Sequence, residues 1–335
     1  MKIAHVRERT APAGASWRLA AALDADGSRW LGLEEARRAL GQADPRRVHN
    51  SSLFRQPVTT LDAHLAAGLR VEALSELLDT AGPAEDQDAI LDATDLAFGP
   101  PIISPPSFRD FYAFEQHVGT MWKRRDMEIP EAWYRLPIFY IGNVSEIRGP
   151  GDPVHAPRGS QELDYELEVA ALIDTPVKNL DPARGEEAIG GYMVFNDWSA
   201  RDLQREETTV RLGPAKGKDF ASSIGPWLVT PDELADTRRD KGYGLAMTAS
   251  VNGQELSRGS WASAHFSFGE MIERASADAR LRAGDLIGSG TVGTGCLLEI
   301  RDEKLGRYLQ PGDSVTLAIE RLGELTSPVI ERPSR

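Results

Sequence analysis

The sequence predicts an α+β protein that is mostly β. Beyond residue 100, short apolar pieces such as "LPIFYIGN", "GYMVFND" and "DSVTLAIERLG" alternate with glycine and proline turns, which is typical of strands in mixed sheets or a rolled barrel. Only residues 199–207 and 269–278 have a helical pattern there. Before residue 98, the segments "LDAHLAAGLRVEALSELL" and "DQDAILDATDL" carry helical periodicity, so helices are expected mainly near the N-terminus.

A proline-rich connector divides the chain. The segment "FGPPIISPPSF" (98–108) has four prolines in eleven residues, which excludes a regular helix and favours an extended backbone. A chain of 335 residues also exceeds the usual size of a single core. We therefore predict a small N-terminal α+β domain at 1–100 and a larger, mostly β domain at 101–332.

Composition narrows the class of function. The formal net charge of −13 opposes binding to nucleic acid or to an anionic membrane surface, and no apolar run approaches the roughly 20 residues that span a bilayer. The single cysteine, Cys296, cannot form an intramolecular disulfide, and the first residues lack the apolar core of a secretory signal. We expect a cytoplasmic enzyme that acts on a small molecule.

The segment "LDYELEVA" (163–170) places two acids side by side. In a strand, Glu166 and Glu168 lie on the same face, and the apolar residues between them anchor the other face in a core. Two neighbouring carboxylates in such a place indicate a positive partner, although a solvated sheet face is the alternative. The opposite face carries Leu163, Tyr165, Leu167 and Val169.

Two further acids complete a candidate cation site. Asp197 ends the apolar strand of "YMVFND", and Asp110 follows the proline connector beside two aromatic residues. Four carboxylates without a nearby cysteine or histidine pair are the ligand type of a hard divalent cation such as Mg²⁺, Mn²⁺ or Ca²⁺. Asp197 alone could instead be a helix-start residue stabilised by the helix dipole.

Basic and amide groups follow the acids. Arg201 and Gln204 are three residues apart in the predicted helix, so they project from one face beside Asp197. Lys218 lies in the glycine-bounded segment "GPAKGKDF" and can reach a developing oxyanion if that turn lines a cleft. Together they would stabilise negative charge on a substrate carbonyl, whereas the alternative for Lys218 is an ordinary surface lysine.

His117 is the histidine with suggestive neighbours, since it lies seven residues after Asp110 and before a basic cluster. A catalytic role requires an orienting acid, and Glu299 in the strand-like "CLLEI" is the candidate. The glycine-rich "GSGTVGTGC" (288–296) would let backbone and the Thr291 hydroxyl approach a ligand, or it serves chain reversal alone. We interpret the other histidines as structural or surface residues: His5, His49, His64, His155 and His265.

The motifs "LDYELEVA", "NDWSARDLQ" and "GSGTVGTGCLLE", in this order, resemble the fumarylacetoacetate hydrolase (FAH) family over about the C-terminal two-thirds of the chain. The resemblance implies a mixed β-roll domain, an N-terminal domain related to an SH3-like barrel, and a homodimer. It implies the metal ligands Asp110, Glu166, Glu168 and Asp197 and the water-activating pair His117 and Glu299. It implies that Arg201, Gln204 and Lys218 bind the substrate carbonyl and the oxyanion. It also implies that Tyr112, Tyr140 and Thr291 contact the substrate. Among Lys123, Arg124 and Arg125, we choose Arg124 as the substrate contact.

The expected function follows from this resemblance. We expect a hydrolase that depends on a divalent metal and cleaves a carbon–carbon bond in a β-diketo acid, such as an acylpyruvate or a fumarylacetoacetate-like acid. The same enolate chemistry without activated water would give an oxo-acid decarboxylase, or an isomerase or hydratase of aromatic catabolism. A non-catalytic protein that binds a small molecule through the metal is the third alternative.

Overall fold

The structure is a computed structural model, which describes residues 1–12, 14–46, 51–81 and 89–334. Eight α-helices occur in these ranges: α1 (Leu33–Ala43), α2 (Ser52–Arg55), α3 (Leu61–Ala66), α4 (Ser75–Ala81), α5 (Glu115–Lys123), α6 (Arg201–Thr208), α7 (Phe268–Ser276) and α8 (Leu297–Lys304).

Strands outnumber helices, and twenty occur in the same ranges. The first ten are β1 (Lys2–Glu8), β2 (Arg18–Ala22), β3 (Arg29–Gly32), β4 (Ile90–Asp92), β5 (Leu96–Phe98), β6 (Phe108–Phe111), β7 (Phe139–Ile141), β8 (Ile147–Arg148), β9 (Leu163–Asp164) and β10 (Leu167–Ile173). The others are β11 (Ile189–Asp197), β12 (Ser199–Ala200), β13 (Ser222–Val229), β14 (Arg238–Arg239), β15 (Gly242–Tyr243), β16 (Ala246–Val251), β17 (Gln254–Ser260), β18 (Leu286–Gly288), β19 (Ser314–Ile319) and β20 (Gly323–Pro328).

Two large sheets organise the described part of the chain. A twelve-stranded sheet has the order β4-β3-β2-β1-β13-β11-β10-β18-β6-β7, with β5 paired to β1 and β8 paired to β13. Most of its pairs are antiparallel, while β6 runs parallel to β18 and β8 parallel to β13. The second sheet has four antiparallel strands in the order β17-β16-β19-β20. The predicted α+β, mostly β class is confirmed.

The central strand β10 is buried on both faces. Leu167, Val169 and Ala171 point into a core that also contains residues of β16, β19 and α7. Ala170 and Leu172 point into a second core, which is shared with residues of α3 and α4. Because side chains alternate along a strand, each core receives every second residue, and the strand cannot move without disturbing both.

The N-terminal segment shares the large sheet. Strand β1 pairs with β13 through Lys2 opposite Val229 and Ile3 opposite Leu228. Helices α1–α4 lie in the same segment, and residues of all four contribute to the second core. The sheet thus continues across the proline connector, whose residues 99–107 form neither helix nor strand. The domain boundary at residue 100 stays a prediction.

Two sequence predictions about helices are wrong. The described part of "DQDAILDATDL" forms β4, a short 3₁₀ turn and β5 instead of a helix, because pairing with β3 and β1 overrides the local periodicity. The larger segment contains helices α5 and α8 in addition to the two expected ones, and Glu299 lies in α8 rather than in a strand. Within the described residues, no helix is both long enough and apolar enough to cross a membrane.

Candidate active site

The predicted site residues surround one cavity of about 770 Å³. Twelve of the thirteen predicted catalytic, ligand-binding and metal-binding side chains line it. The thirteenth, Glu299, lies behind His117, and Lys123 of the basic cluster is not a lining residue. The lining residues are Asp110, Tyr112, His117, Arg124, Tyr140, Glu166, Glu168, Asp197, Arg201, Gln204, Lys218 and Thr291. Their individual roles stay predictions.

Three carboxylates converge because nearby strands of the large sheet carry them. Asp110 lies on β6, Glu168 on β10 and Asp197 at the end of β11, and β18 joins β6 to β10. One oxygen from each side chain lies within 4.8 Å of the others, and all three residues are buried. Gly288 lies opposite Asp110, where a Cβ would approach the carboxylate to 2.3 Å, so only glycine leaves room there.

The glycine-rich turn contacts the same acids. The Gly290 N–H donates to Glu168 Oε2 at 2.9 Å and, more weakly, to Asp110 Oδ1 at 3.3 Å. The Thr291 hydroxyl lies 3.3 Å from Glu168 Oε1, and the Tyr140 hydroxyl donates to Asp197 Oδ2 at 2.7 Å. The turn therefore does more than reverse the chain, because its backbone holds two carboxylates in place.

This carboxylate cluster fits a hard divalent cation. Burial, and next the charge of Asp197, raise the pKa of Asp110 well above its ordinary value, and burial with neighbouring acids does the same for the pKa of Glu168. Asp197 Oδ1 is buried and has no hydrogen-bond partner among the described residues. The three carboxylates offer only oxygen ligands and repel one another, and Asp197 Oδ1 has a lone pair free to bind an ion. A cation such as Mg²⁺, Mn²⁺ or Ca²⁺ would stabilise this arrangement.

Glu166, the fourth predicted ligand, faces two cations. Lys218 Nζ donates to Glu166 Oε2 at 2.5 Å and also to Asp197, and Arg201 Nη2 lies 2.8 Å from Glu166 Oε1. Burial opposes the charge of Glu166, but Lys218 and Arg201 hold the pKa of that carboxyl below its ordinary value. The solvated-face alternative for Glu166 and Glu168 is wrong, because both are buried. Metal binding by Glu166 stays a prediction.

Lys218 is not a surface lysine, since it is only 6% exposed. Burial disfavours its charge, but Asp197 and Glu166 outweigh burial and raise the pKa of Lys218 above its ordinary value. These two carboxylates favour the charged form of the ammonium inside the cavity. Arg201 and Gln204 meet as predicted, with the guanidinium donating to Gln204 Oε1 at 3.1 Å.

Asp164 is a buried residue that the sequence reasoning missed. It accepts a hydrogen bond from Arg201 Nε at 2.8 Å and from the N–H groups of Leu297 and Leu298 at 2.7 and 2.9 Å. It thereby links Arg201 to the start of α8, the helix that carries Glu299. A signal was present, because Asp164 continues the every-second-residue pattern of Glu166 and Glu168.

His117 and Glu299 meet across two helices. His117 Nδ1 on α5 lies 3.0 Å from Glu299 Oε2 on α8, and both side chains are buried. The contact does not meet the geometry of a hydrogen bond, and Nδ1 makes no other among the described residues. The Tyr112 ring packs edge-to-face on the imidazole at 5.4 Å between centroids, which limits the rotation of His117. Arg124 donates to the Glu299 backbone oxygen at 3.1 Å.

The remaining histidines do not line the cavity as far as the structure describes them, and His49 lies outside the described residues. His5 and His64 are buried and bonded to backbone oxygens of Pro100 and Arg70. His265 packs against the Trp133 ring at 4.9 Å. These contacts agree with their interpretation as structural residues.

Fold and site together define a family. Residues 107–330 match the family described as fumarylacetoacetate (FAA) hydrolase C-terminal, and the chain belongs to this family. A fumarylacetoacetase from Arabidopsis thaliana is 28% identical over 270 residues, which cover 63% of this chain and 64% of that protein. Proteins from Burkholderia species reach 35% identity over 188 residues. The chain spans about 64% of the length of these curated relatives.

Solved structures cover more of the chain. A probable 2-hydroxyhepta-2,4-diene-1,7-dioate isomerase from Mycobacterium abscessus has a TM-score of 0.65 and 25% identity, covering 99% of this chain and 100% of the other. A maleylpyruvate hydrolase from Sphingobium sp. SYK-6 has a TM-score of 0.65, 21% identity and the same coverage. The second likeness indicates the fold alone.

Proposed function

We propose that this protein is a metal-dependent hydrolase that cleaves a carbon–carbon bond in a β-diketo acid, such as an acylpyruvate or a fumarylacetoacetate-like acid. The observation that carries the proposal is the pair His117 and Glu299, whose Nδ1 and Oε2 atoms are 3.0 Å apart at the cavity that also holds the carboxylate cluster. A general base beside a cation site is the combination that hydrolysis of a chelating substrate requires.

The carboxylate cluster would hold the metal through Asp110, Glu168 and Asp197, with Glu166 as the fourth predicted ligand. When bound, a divalent cation would supply Lewis acidity that stabilises the negative charge of the departing enolate. The homodimer, like the individual ligands, stays a prediction.

His117 acts on water in this scheme. Its Nδ1 faces Glu299, which leaves Nε2 as the nitrogen that can accept a proton from a water molecule in the cavity. The negative side chain of Glu299 stabilises the imidazolium that results. The hydroxide then forms a bond to the substrate carbonyl carbon.

The resulting oxyanion needs nearby positive charge. Lys218 and Arg201 are both buried in the cavity wall and charged, and Gln204 is bonded to Arg201. They would bind the oxyanion until it collapses, the carbon–carbon bond breaks, and the enolate leaves and accepts a proton. The products are two carboxylic acids or a carboxylic acid and a ketone, according to the substrate.

The test is a spectrophotometric assay on a panel of acylpyruvates and oxaloacetate. Chelator-treated protein is compared with and without Mg²⁺ or Mn²⁺, beside the variant His117→Ala and the control His155→Ala, which changes a histidine outside the cavity. We expect metal-dependent loss of the diketone, reduced about 100-fold or more in His117→Ala and unchanged in His155→Ala. Consumption of oxaloacetate alone, with full activity in His117→Ala, would contradict the proposal.

A second candidate is isomerisation of an unsaturated oxo-acid from aromatic catabolism. The 25% identity to the probable isomerase from Mycobacterium abscessus, over 99% of this chain, favours it. Isomerisation moves a proton on the substrate and needs no hydroxide. The two candidates differ in one product measurement, because hydrolysis in ¹⁸O-labelled water incorporates the label into the new carboxylate at the former carbonyl carbon and isomerisation does not create such a group.

A further inference from the structure

The region around His117 contains a second group of metal-binding side chains. His117, Cys296 and Glu299 each offer one ligand atom, and these atoms lie within 4.8 Å of one another. Cys296 immediately precedes α8 and Glu299 lies in its first turn, so the two side chains project from the same side of the helix start. We name these three residues the thiol cluster.

The distances in the thiol cluster suit a tetrahedral metal. Cys296 Sγ lies 3.6 Å from Glu299 Oε2, and His117 Nδ1 lies 3.0 Å from the same oxygen. With typical Zn–S, Zn–N and Zn–O bond lengths, a tetrahedral site separates sulfur and oxygen by about 3.6 Å and nitrogen and oxygen by about 3.3 Å. Cys296 Sγ and His117 Nδ1 lie within 4.8 Å of each other, so side-chain movements of roughly 1 Å would bring all three atoms to bonding distance.

His117 Nδ1 lies 3.0 Å from Glu299 Oε2 but has no aligned hydrogen bond to it. His117 Nδ1 belongs to a residue that is 3% exposed, and it makes no aligned hydrogen bond among the described residues. A buried imidazole nitrogen normally has such a bond, so this nitrogen is available for a ligand. His117 also lines the cavity, from which a water molecule can supply a fourth ligand.

We propose that the thiol cluster binds a thiophilic divalent cation such as Zn²⁺, separately from the carboxylate cluster, and that this binding inhibits the enzyme. Sulfur and imidazole ligands select Zn²⁺ or Cd²⁺, whereas the all-oxygen cluster suits Mg²⁺ or Mn²⁺. Binding converts the Cys296 thiol to a thiolate and releases its proton to solvent. It occupies Nδ1 of His117 and draws Glu299 away from orienting the imidazole.

Binding is tested by titrating Mg²⁺-saturated protein with Co²⁺, a spectroscopic substitute for Zn²⁺. The chain has a single cysteine, so a thiolate-to-cobalt charge-transfer band reports this residue alone. We expect one equivalent of Co²⁺ to produce the band in the wild type, no band in Cys296→Ser, and a band that needs about 100-fold more Co²⁺ in Glu299→Gln. Absence of the band in the wild type, or an unchanged titration in Glu299→Gln, would overturn the proposed site.

Inhibition is a separate measurement that rests on the proposed function. Turnover at saturating Mg²⁺ is followed while Zn²⁺ is added to the wild type, Cys296→Ser and Cys296→Ala. We expect both variants to keep basal turnover and to tolerate at least tenfold more Zn²⁺. Equal sensitivity in all three proteins would place the inhibitory ion elsewhere and overturn the inhibitory role. If no substrate is turned over, the proposed function fails, while the cobalt titration still decides whether the site exists.

Discussion

Replacement of Asp164 by asparagine tests how the site is held together. Asp164 is fully buried and accepts three hydrogen bonds, one from Arg201 and two from the first backbone N–H groups of α8. Asparagine keeps the size and one acceptor oxygen but removes the charge and replaces the second oxygen by a donor. Arg201 then loses one of its two anionic partners and retains Glu166.

The expected losses of stability and turnover in Asp164→Asn follow from these contacts. Removing one partner of a buried ion pair costs about 3–5 kcal/mol, and we take the lower end, about 3 kcal/mol, because Glu166 still faces Arg201. With a urea dependence of roughly 3 kcal/mol per molar, the unfolding midpoint should fall by about 1 M. Turnover should fall about 100-fold, because the guanidinium that meets the oxyanion is no longer fixed.

The assay pairs urea unfolding, followed by tryptophan fluorescence, with kinetics under folded conditions. Asp174→Asn is the matched control, since Asp174 is also buried, pairs with Arg70 at 3.3 Å and accepts the Val71 N–H at 3.1 Å, but lies outside the cavity. It should lose stability and keep its kcat. Equal loss of kcat in both variants, or unchanged kcat in Asp164→Asn, would refute the positioning role of Asp164.

Three further predictions concern the turn, the metal and acid stability. Gly290 has φ +79°, and a Cβ there would lie 2.5 Å from the Phe111 backbone oxygen. Gly290→Ala should therefore strain the turn and lower the free energy of unfolding by about 3 kcal/mol in chemical denaturation. An unchanged free energy of unfolding would contradict this reasoning. Mg²⁺ or Mn²⁺ at about 100 times its Kd should stabilise the wild type by about 2.7 kcal/mol in calorimetry, and Asp110→Asn should abolish the shift. Hydrogen bonds from Arg307 lower the pKa of Asp313 from 3.8 to about 2, so this carboxylate stabilises the fold above pH 4 and loses that effect as pH falls toward 2. Because Arg307 is partly exposed, the difference from Asp313→Asn should be about 1–2 kcal/mol at pH 6 and should fall to a small fraction of that near pH 2. A difference of full size at pH 2 would contradict the assignment.

Strands were predictable where apolar residues alternate with the pleat or form a short continuous run. The segments that became β16 and β19 alternate, the segment that became β11 is a continuous buried run, and the apolar face of 163–170 entered the core as expected. Helix α8 was missed because "CLLEI" is a short apolar run, which periodicity cannot assign to a strand or a helix. Helix α5 was missed because it contains Gly119 and β-branched residues and buries little apolar surface.

The sequence predicted most of the residues that make up the candidate site. It predicted fewer of the hydrogen bonds and ion pairs that their side chains form with one another. Carboxylates at strand positions and strand ends identified the residues that converge on the cavity. The pairing of Glu166 with Lys218 joins residues 52 positions apart, and nothing in either local pattern specifies it. Asp164 shows the same limit, because its partners in α8 lie more than 130 positions away. Such contacts depend on tertiary packing rather than on local sequence.

The double burial of β10 has a consequence for how relatives of this protein can diversify. Mutations along this strand disturb two cores at once. Substitutions that would move the Glu168 side chain should therefore seldom preserve folding. The cavity mouth is under no such restriction, since Arg124, Arg125 and Arg205 there are exposed. New substrate preferences should therefore arise by substitution of residues at the cavity mouth, while the carboxylate cluster is inherited unchanged.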